Sequence, residues 1–127
     1  SLKSTRETVV LDGDGSLLMS NILPIVAEKQ PENLSIVCLD NGTWGSTGDQ
    51  PAPYMDVELM ALSAGIENTM KVNTEAELRS TLEQLYEEAG PRFLHVTVKP
   101  GNANVANIPL RAPQIKRRFI AAIRHAL

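Results

Sequence analysis

Short apolar runs alternate with amphipathic segments along this chain. Four runs have the length and the apolar or β-branched content of strands, and they cover residues 7–11, 34–39, 68–72 and 93–98. Apolar residues recur at helical spacing within residues 17–29, 57–64, 75–89 and 113–127. Strands that alternate with helices form right-handed parallel crossovers. The pattern therefore predicts an α/β fold built on a doubly wound parallel sheet.

Local signals mark the ends of these helices. Asp56 and Gly65 are placed to cap the second helix at its start and its end. Thr74 and Glu77 have the spacing of a capping box, which predicts the start of the third helix. Pro24 lies inside the first helical pattern, where proline kinks or shortens a helix.

Composition narrows the class of protein. Hydrophobic residues make up 43% of the 127 residues and charged residues 21%, so we expect one domain over residues 1–127. The net charge of −3 argues against nucleic acid as a partner, because phosphate binding requires a basic surface. No apolar run approaches the roughly 20 residues of a membrane span, which argues against a membrane partner. The single cysteine, Cys38, excludes an internal disulfide and fits a cytoplasmic protein.

Acids and glycines are concentrated at residues 12–16, where the first strand ends and a helix begins. Ligands bind at the carboxyl ends of strands in such sheets, and the start of a helix can hold an anion. Asp12 and Asp14 would repel an anion placed there directly. A cation between carboxylate and phosphate resolves this conflict, and Mg²⁺ takes such ligands, so a Mg²⁺–diphosphate site is the first hypothesis. The alternative is a tight turn in which Asp14 or Ser16 caps the helix.

A second loop of similar character follows the second strand, at Asp40, Asn41 and Gly42. If the two strands are neighbours in a parallel sheet, both loops open at the same edge. Asp14 would supply a carboxylate, Asn41 a side-chain carbonyl and Thr43 a backbone carbonyl to an octahedral Mg²⁺. The alternative for this loop is a plain turn.

The segment Gly13-Asp14-Gly15, with Asn41 placed 27 residues after Asp14, resembles the diphosphate motif of thiamine-diphosphate-dependent enzymes. The resemblance implies a flavodoxin-like, three-layer α/β/α domain. It also implies Mg²⁺ binding by Asp14, Asn41 and the carbonyl of Thr43. The residues that would bind the cofactor are Gly13, Asp14, Gly15, Ser16, Asn41 and Thr43. The motif usually has an Asn-Asn pair, whereas this chain has Asp40 followed by Asn41.

A narrower resemblance covers most of the chain. Residues 11–19, 39–42 and 45–50 are similar to the cofactor-binding part of sulfopyruvate and phosphonopyruvate decarboxylases, and the tail at 98–103 and 107–110 to the beta subunit of the former. It implies a carboxy-lyase subunit that binds Mg²⁺ and thiamine diphosphate and decarboxylates sulfopyruvate in coenzyme M biosynthesis. Phosphonopyruvate decarboxylase and a carboligating synthase are alternatives. A non-catalytic module that binds a phosphate ligand is an alternative of another class.

The resemblance also implies a missing half. In the family, a glutamate on a separate pyrimidine-binding domain activates the cofactor, and no segment here resembles that domain. The chain begins with Ser1, and twelve residues precede Gly13, so we expect it to lack the N-terminal segment of its domain. We therefore expect a pyrimidine-binding (alpha) partner, a homo- or hetero-oligomer, and no activity of this chain alone. The small-molecule substrate would be a 2-oxo acid.

Other side chains have less specific interpretations. Ser46, Thr47 and Gln50 follow the second loop and either line the substrate pocket or belong to an ordinary flexible loop. Cys38 and His95 lie within predicted strands and are expected to be core residues.

Overall fold

The fold is described from a computed structural model that covers residues 6–101, 104–106 and 108–124. Its elements follow in the order β1 (Thr8–Gly13), α1 (Asp14–Leu18), α2 (Ile22–Lys29), β2 (Leu34–Asp40), β3 (Thr43–Trp44), β4 (Gln50–Pro51), α3 (Val57–Ala64), β5 (Asn68–Val72), α4 (Glu75–Glu87), β6 (Arg92–Thr97) and α5 (Ala112–Arg124). All four predicted strands and the main predicted helices are present among them. The predicted end of the last helix, residues 125–127, lies outside the described part, as do residues 102, 103 and 107 of the tail.

The main sheet has four parallel strands in the order β1-β2-β6-β5. This is the predicted α/β fold with a parallel sheet. The strand β2 lies between β1 and β6, so residues distant in the sequence become neighbours at its carboxyl end. Cys38 pairs with His95 in the β2–β6 register, and Gly13 with Leu39 in the β1–β2 register.

Two apolar clusters cover the two faces of the sheet. The larger joins α1, α2 and α3 to the sheet through Leu17, Leu23, Val26, Leu34, Ile36, Cys38, Val57, Ala61, Ile66 and Phe93. The smaller joins α4 to the opposite face through Val37, Val72, Leu85, Leu94 and Val96. Helix, sheet and helix therefore form three layers. Cys38 is a core residue, as predicted, and is fully buried.

The first predicted helix is broken where the sequence did not suggest it. The chain forms a helix from Asp14, leaves helical geometry after Leu18 and starts again at Ile22. Pro24 is therefore the third residue of α2, within the first turn, where a missing N–H disrupts no helical hydrogen bond. Of the two expected effects of Pro24, the shorter helix is the one observed, because α2 begins only two residues before it.

The predicted helix caps are confirmed. The Asp56 carboxylate accepts hydrogen bonds from the N–H groups of Glu58 and Leu59, and Gly65 ends α3 with φ of +104°. Thr74 accepts from the N–H of Glu77, whose carboxylate accepts from Asn73. These contacts set the directions in which the chain enters and leaves the helices around the sheet.

The last helix has a different environment. No residue of α5 is buried, and its apolar side chains, at Ile115, Phe119, Ile120 and Ile123, are between 36% and 65% exposed. Among the described residues, no helix has the length and the apolar character needed to cross a bilayer.

Candidate cofactor-binding site

The two loops predicted to form the site meet at one edge of the sheet. β1 and β2 are adjacent and parallel, so their carboxyl ends, Gly13 and Asp40, lie side by side. A cleft of about 560 Å³ opens there. The predicted cofactor residues among those lining it are Gly13, Asp14, Gly15, Ser16, Asn41 and Thr43. Met19, Leu39, Trp44, Gly45 and Ser46 complete the lining.

Asp14 is a buried carboxylate without a capping role. It is 6% exposed, and α1 begins at Asp14 itself, so Gly13 and not Asp14 is the N-cap. The suggestion that Asp14 or Ser16 caps the helix is therefore wrong. Burial raises the pKa of the Asp14 carboxyl and outweighs the backbone N–H groups at Gly15 and Asp14, which hydrogen-bond the carboxyl and act to lower its pKa. The nearby Asp40 carboxylate adds to the rise. A cation at this position would relieve both effects, because it favours the ionised form.

The second loop presents oxygen atoms to the same cleft. The Asn41 side-chain oxygen accepts the N–H of Thr43 at 2.9 Å, which fixes its orientation and leaves a second lone pair. In the β3–β4 hairpin the N–H of Ala52 donates to the carbonyl oxygen of Gly42. Thr43, the next residue, pairs with Pro51. Hydrogen-bonded and non-hydrogen-bonded pairs alternate in an antiparallel ladder, so the Thr43 carbonyl does not bond the partner strand. The buried Thr43 Oγ1 has no hydrogen-bond partner in the described part of the chain. The donor set fits Mg²⁺, which prefers carboxylate, amide and carbonyl oxygens.

The donor set differs from a metal site built from several His, Cys, Asp or Glu side chains. In residues 6–101, 104–106 and 108–124, no group of three or more His, Cys, Asp or Glu side chains could hold a metal ion. The set of Asp14, Asn41 and Thr43 contains one carboxylate and is not such a cluster. Mg²⁺ is commonly bound by one or two carboxylates, with substrate phosphates as further ligands, so the set remains suitable.

Close packing shapes the floor of the cleft. A Cβ atom added at Gly15 would lie 2.8 Å from the Cε3 and Cζ3 atoms of Trp44, which is closer than a carbon contact allows. Glycine therefore permits the ring of Trp44 to lie against the start of α1. At Gly13 an added Cβ would meet only the Leu39 carbonyl oxygen, at 4.0 Å.

The predicted substrate loop is divided between two environments. Ser46 lines the cleft, whereas Thr47 and Gln50 are not among its lining residues. These two side chains contact each other, with 3.1 Å between Thr47 Oγ1 and Gln50 Oε1. Their role in substrate binding stays a prediction.

A polar network behind the cleft was missed from the sequence. His95, 2% exposed, lies with Nε2 at 2.8 Å from Asp40 Oδ2 and Nδ1 at 3.7 Å from Asp56 Oδ1. Asp56 in turn pairs with Lys71 at 2.7 Å. The one sequence signal that pointed to it was Asp40, at a position where the motif usually has asparagine.

Residues 1–96 match the family described as the C-terminal TPP binding domain of thiamine pyrophosphate enzymes. The chain belongs to this family. Its cofactor class is therefore thiamine diphosphate, as predicted.

Curated relatives agree with this family. The chain is 41% identical to a sulfopyruvate decarboxylase of Methanosarcina acetivorans over 94% of its length, and it spans 32% of that protein. It is 42% identical to sulfopyruvate decarboxylase subunit beta of Methanothermobacter thermautotrophicus, covering 99% of this chain and 67% of that subunit. A phosphonopyruvate decarboxylase of Streptomyces viridochromogenes is 33% identical, covering 97% of this chain and 32% of that enzyme. The chain thus spans about a third of some relatives and two thirds of others.

A solved structure gives the same fold. A protein of Mycobacterium smegmatis, described provisionally as a thiamin diphosphate-dependent enzyme, superposes with a TM-score of 0.65 at 26% identity. The match covers 76% of this chain and 18% of that one. The α/β architecture of the family is therefore the one observed here.

Proposed function

We propose that this chain is the Mg²⁺–thiamine diphosphate-binding subunit of a 2-oxo acid decarboxylase that acts on sulfopyruvate. The metal ligands are Asp14, Asn41 and the carbonyl of Thr43. The observation that carries the proposal is the buried carboxylate of Asp14, which is not the N-cap of α1 and lines one cleft together with residues of a second loop. A structural turn does not require this arrangement, whereas a cation bound to a diphosphate does.

The chain's own residues bind and orient in this proposal. The Asp14 carboxylate and the Asn41 amide oxygen hold the metal, and the chain at Gly15 and Ser16 faces the diphosphate. Because Asp14 is buried, its attraction to the metal is weakly screened by water. When bound, thiamine diphosphate supplies the electron sink that a 2-oxo acid requires to lose CO₂.

The proposed substrate is supported by the names of the relatives above 40% identity. Both relatives above 40% identity are named for sulfopyruvate. Between 28% and 34% identity the names are mixed, with two sulfopyruvate decarboxylase beta subunits and two phosphonopyruvate decarboxylases. Phosphonopyruvate is therefore the second candidate, and both substrates are 2-oxo acids with an additional acidic group. A carboligating synthase is a third option within the same cofactor chemistry.

A partner chain is part of the proposal. Three relatives are named as subunit beta, and this chain supplies no glutamate that we assign to cofactor activation. Apolar side chains are exposed on the outer side of the first three helices, at Met19, Ile22, Ile25, Leu59 and Leu62. This surface lies beside the cleft, since Met19 belongs to both. We propose that a pyrimidine-binding partner supplies the activating glutamate.

Calorimetric titration with thiamine diphosphate and Mg²⁺, on the chain assembled with its partner, tests the metal site. We expect Asp14→Ala to weaken binding by at least about tenfold, because the metal loses its carboxylate. Asp12→Ala is the matched control, since Asp12 lies two residues away at the end of β1, accepts the N–H of Gly13 and is not among the residues lining the cleft. Equal binding by the Asp14 variant and the wild type would contradict the metal assignment.

Release of CO₂ from the two candidate acids tests the substrate. We expect the assembled enzyme to decarboxylate sulfopyruvate with the higher kcat/KM and the chain alone to decarboxylate neither. A preference for phosphonopyruvate would favour the second candidate. An assembly that binds no thiamine diphosphate would support the non-catalytic module instead.

A further inference from the structure

His95 stands between the two ends of the loop that carries Asn41 and Thr43, two of the three proposed metal ligands. The loop covers residues 41–55, with Asp40 immediately before it and Asp56 immediately after it. His95 projects from β6, and its ring nitrogens face both flanking carboxylates, at 2.8 Å from Asp40 and 3.7 Å from Asp56. One buried side chain therefore contacts both points at which the loop leaves and rejoins the fold.

Asp40 connects this histidine to the metal loop. Its Oδ1 accepts the N–H of Gly42 at 3.0 Å, and its Oδ2 faces His95 Nε2. Because a carboxylate oxygen accepts hydrogen bonds, we assign the donor role in this contact to Nε2–H of the ring. The two contacts together hold the turn in which Asn41 is the second residue. The Asn41 side-chain oxygen in turn accepts the N–H of Thr43, so the position of the next proposed ligand also depends on this turn.

Asp56 holds the other end. It caps α3 through the N–H groups of Glu58 and Leu59, and its second oxygen pairs with Lys71 at 2.7 Å. The His95 Nδ1 atom is buried and has no hydrogen-bond partner in the described part of the chain. The Asp56 Oδ1 atom lies 3.7 Å from His95 Nδ1. The ring is thus held firmly to the start of the loop and more loosely to its end.

We propose that His95 is a positioning residue that sets the metal loop, acting through Asp40 on Asn41 and Thr43. The ligand part of this inference rests on the proposed function. It also explains why Asp40 replaces the asparagine that is usual in the motif. The carboxylate is tolerated beside Asp14 because His95 donates to it, so residues 40 and 95 form a matched pair.

If His95 had only a structural role in the core, its replacement would have a different effect from the one expected of a positioning residue. If His95 only fills space in the core, its replacement has the same effect whichever residue occupies position 40. If it acts through Asp40, its replacement matters when position 40 is aspartate and matters little when it is asparagine. Coupling between the two positions therefore distinguishes the two roles.

The experiment uses the enzyme assembled with its partner, in four forms: wild type, His95→Leu, Asp40→Asn and the double variant. Amide hydrogen exchange of residues 41–55 is measured without metal or cofactor. The Mg²⁺ concentration for half-maximal binding of thiamine diphosphate is measured by calorimetry. We expect His95→Leu alone to speed exchange in the loop and to raise the half-saturating Mg²⁺ concentration about tenfold.

The double variant carries the decisive comparison. We expect it to match Asp40→Asn alone within about twofold in Mg²⁺ requirement, the usual error of additivity. His95→Gln should restore loop exchange in the Asp40 background, because its amide N–H can replace Nε2–H. Equal effects of His95→Leu in both backgrounds would overturn the proposal.

A control variant separates a general loss of stability from an effect on the loop. Arg92→Met is the matched control, because Arg92 is a buried polar residue of the same strand that pairs with Glu7 and Ser35 at the end away from the loop. It should lower stability and leave exchange in residues 41–55 and the Mg²⁺ requirement unchanged. If His95→Leu fails to fold in the wild-type background but folds in the Asp40→Asn background, the coupling is confirmed. Failure in both backgrounds would assign His95 to the core and refute the proposal.

The two measurements separate this inference from the proposed function. Hydrogen exchange in the metal-free enzyme tests the positioning of the loop without any cofactor. If the wild type binds no Mg²⁺ with thiamine diphosphate but exchange still shows the coupling, the proposed function fails and the positioning role holds. If the wild type binds Mg²⁺ and thiamine diphosphate but exchange shows no coupling, the proposed function holds and the positioning role fails.

Discussion

Asp14 is expected to destabilise the cofactor-free protein, because its carboxylate is buried beside Asp40 and its pKa is raised. A raised pKa in the folded state means that the contribution of the group is favourable below the unfolded pKa and is lost as pH rises through the folded pKa. At pH 7 we expect Asp14→Asn to increase the free energy of unfolding by about 1 kcal/mol. Below pH 4 the difference from wild type should vanish. Denaturant unfolding with a chelator present, at both pH values, measures this.

The control for this prediction is Asp12→Asn, which removes a charge two residues away, at the end of β1. Asp12 is only partly buried, so its replacement should change stability little at either pH. A stabilisation by Asp12→Asn equal to that by Asp14→Asn would indicate a general charge effect and contradict the special position of Asp14.

The contact between Gly15 and Trp44 gives a spectroscopic prediction. Trp44 is the single tryptophan of the chain, so intrinsic fluorescence reports its environment. Gly15→Ala should displace the ring, because the added Cβ would lie 2.8 Å from two ring atoms. We expect a shifted emission maximum and weaker thiamine diphosphate binding. Gly13→Ala should leave the emission unchanged, since its Cβ has room and its backbone is extended.

At the scale of residues, the site residues at strand ends could be predicted from the sequence. The contact between Asp40 and His95 could not. Asp14 and Asn41 follow strands that the sequence identifies, and parallel strands bring such loops to one edge. The pairing of Asp40 with His95 depends on β2 lying next to β6, which is the order observed. The apolar pattern of a strand does not specify its neighbour, so His95 was predicted only as a core residue.

At the scale of elements, helix α3 is held at its start by a carboxylate with two functions. Lys71 lowers the pKa of Asp56, chiefly through its hydrogen bond, so this pair stabilises the fold above the usual aspartate pKa and is lost as pH falls through the lowered value. We expect Asp56→Asn to keep the cap and cost about 0.5–1 kcal/mol at pH 7, and less at pH 3. Lys71→Met should cost the same, and the double variant no more. Additive losses in urea unfolding would show that the two side chains act independently.

Helix α5 contributes little to the stability of this chain alone. The chain has two phenylalanines, of which Phe93 is fully buried in β6 and Phe119 is 65% exposed in α5. We expect Phe93→Ala to cost about 3–5 kcal/mol and Phe119→Ala less than about 0.5 kcal/mol. Chemical unfolding of the two variants measures the contrast. A loss above about 2 kcal/mol for Phe119→Ala would mean that α5 packs against the domain.

Helix boundaries that depend on local residues were predictable from the sequence, whereas a boundary that depends on packing was not. Caps at Asp56, Gly65 and Thr74 are local, and they were placed correctly from sequence. The break between α1 and α2 is not local, because Leu17 and Leu23 both enter the same core cluster and the chain must reorient between them. The apolar spacing from residue 17 to residue 29 resembles one helix and does not reveal this change of direction.

At the scale of the whole molecule, the site combines a strand end, a short helix and a long loop at one edge of the sheet. The cleft is open, with its lining drawn from residues 13–19 and 39–46. We therefore expect thiamine diphosphate with Mg²⁺ to stabilise the assembled enzyme far more than the chain alone. A ligand at about 100 times its Kd stabilises by about 2.7 kcal/mol, which raises Tm by several degrees.

Thermal unfolding of the chain alone and of the assembly, each with both ligands, either ligand or a chelator, measures this difference. Both ligands together are required for the full shift in the assembly, because the diphosphate would otherwise meet Asp14 without a cation. Asp14→Asn should remove the shift while leaving the assembly intact by size-exclusion chromatography. An equal shift for the chain alone would show that the site is complete within these residues and that the partner contributes no binding energy.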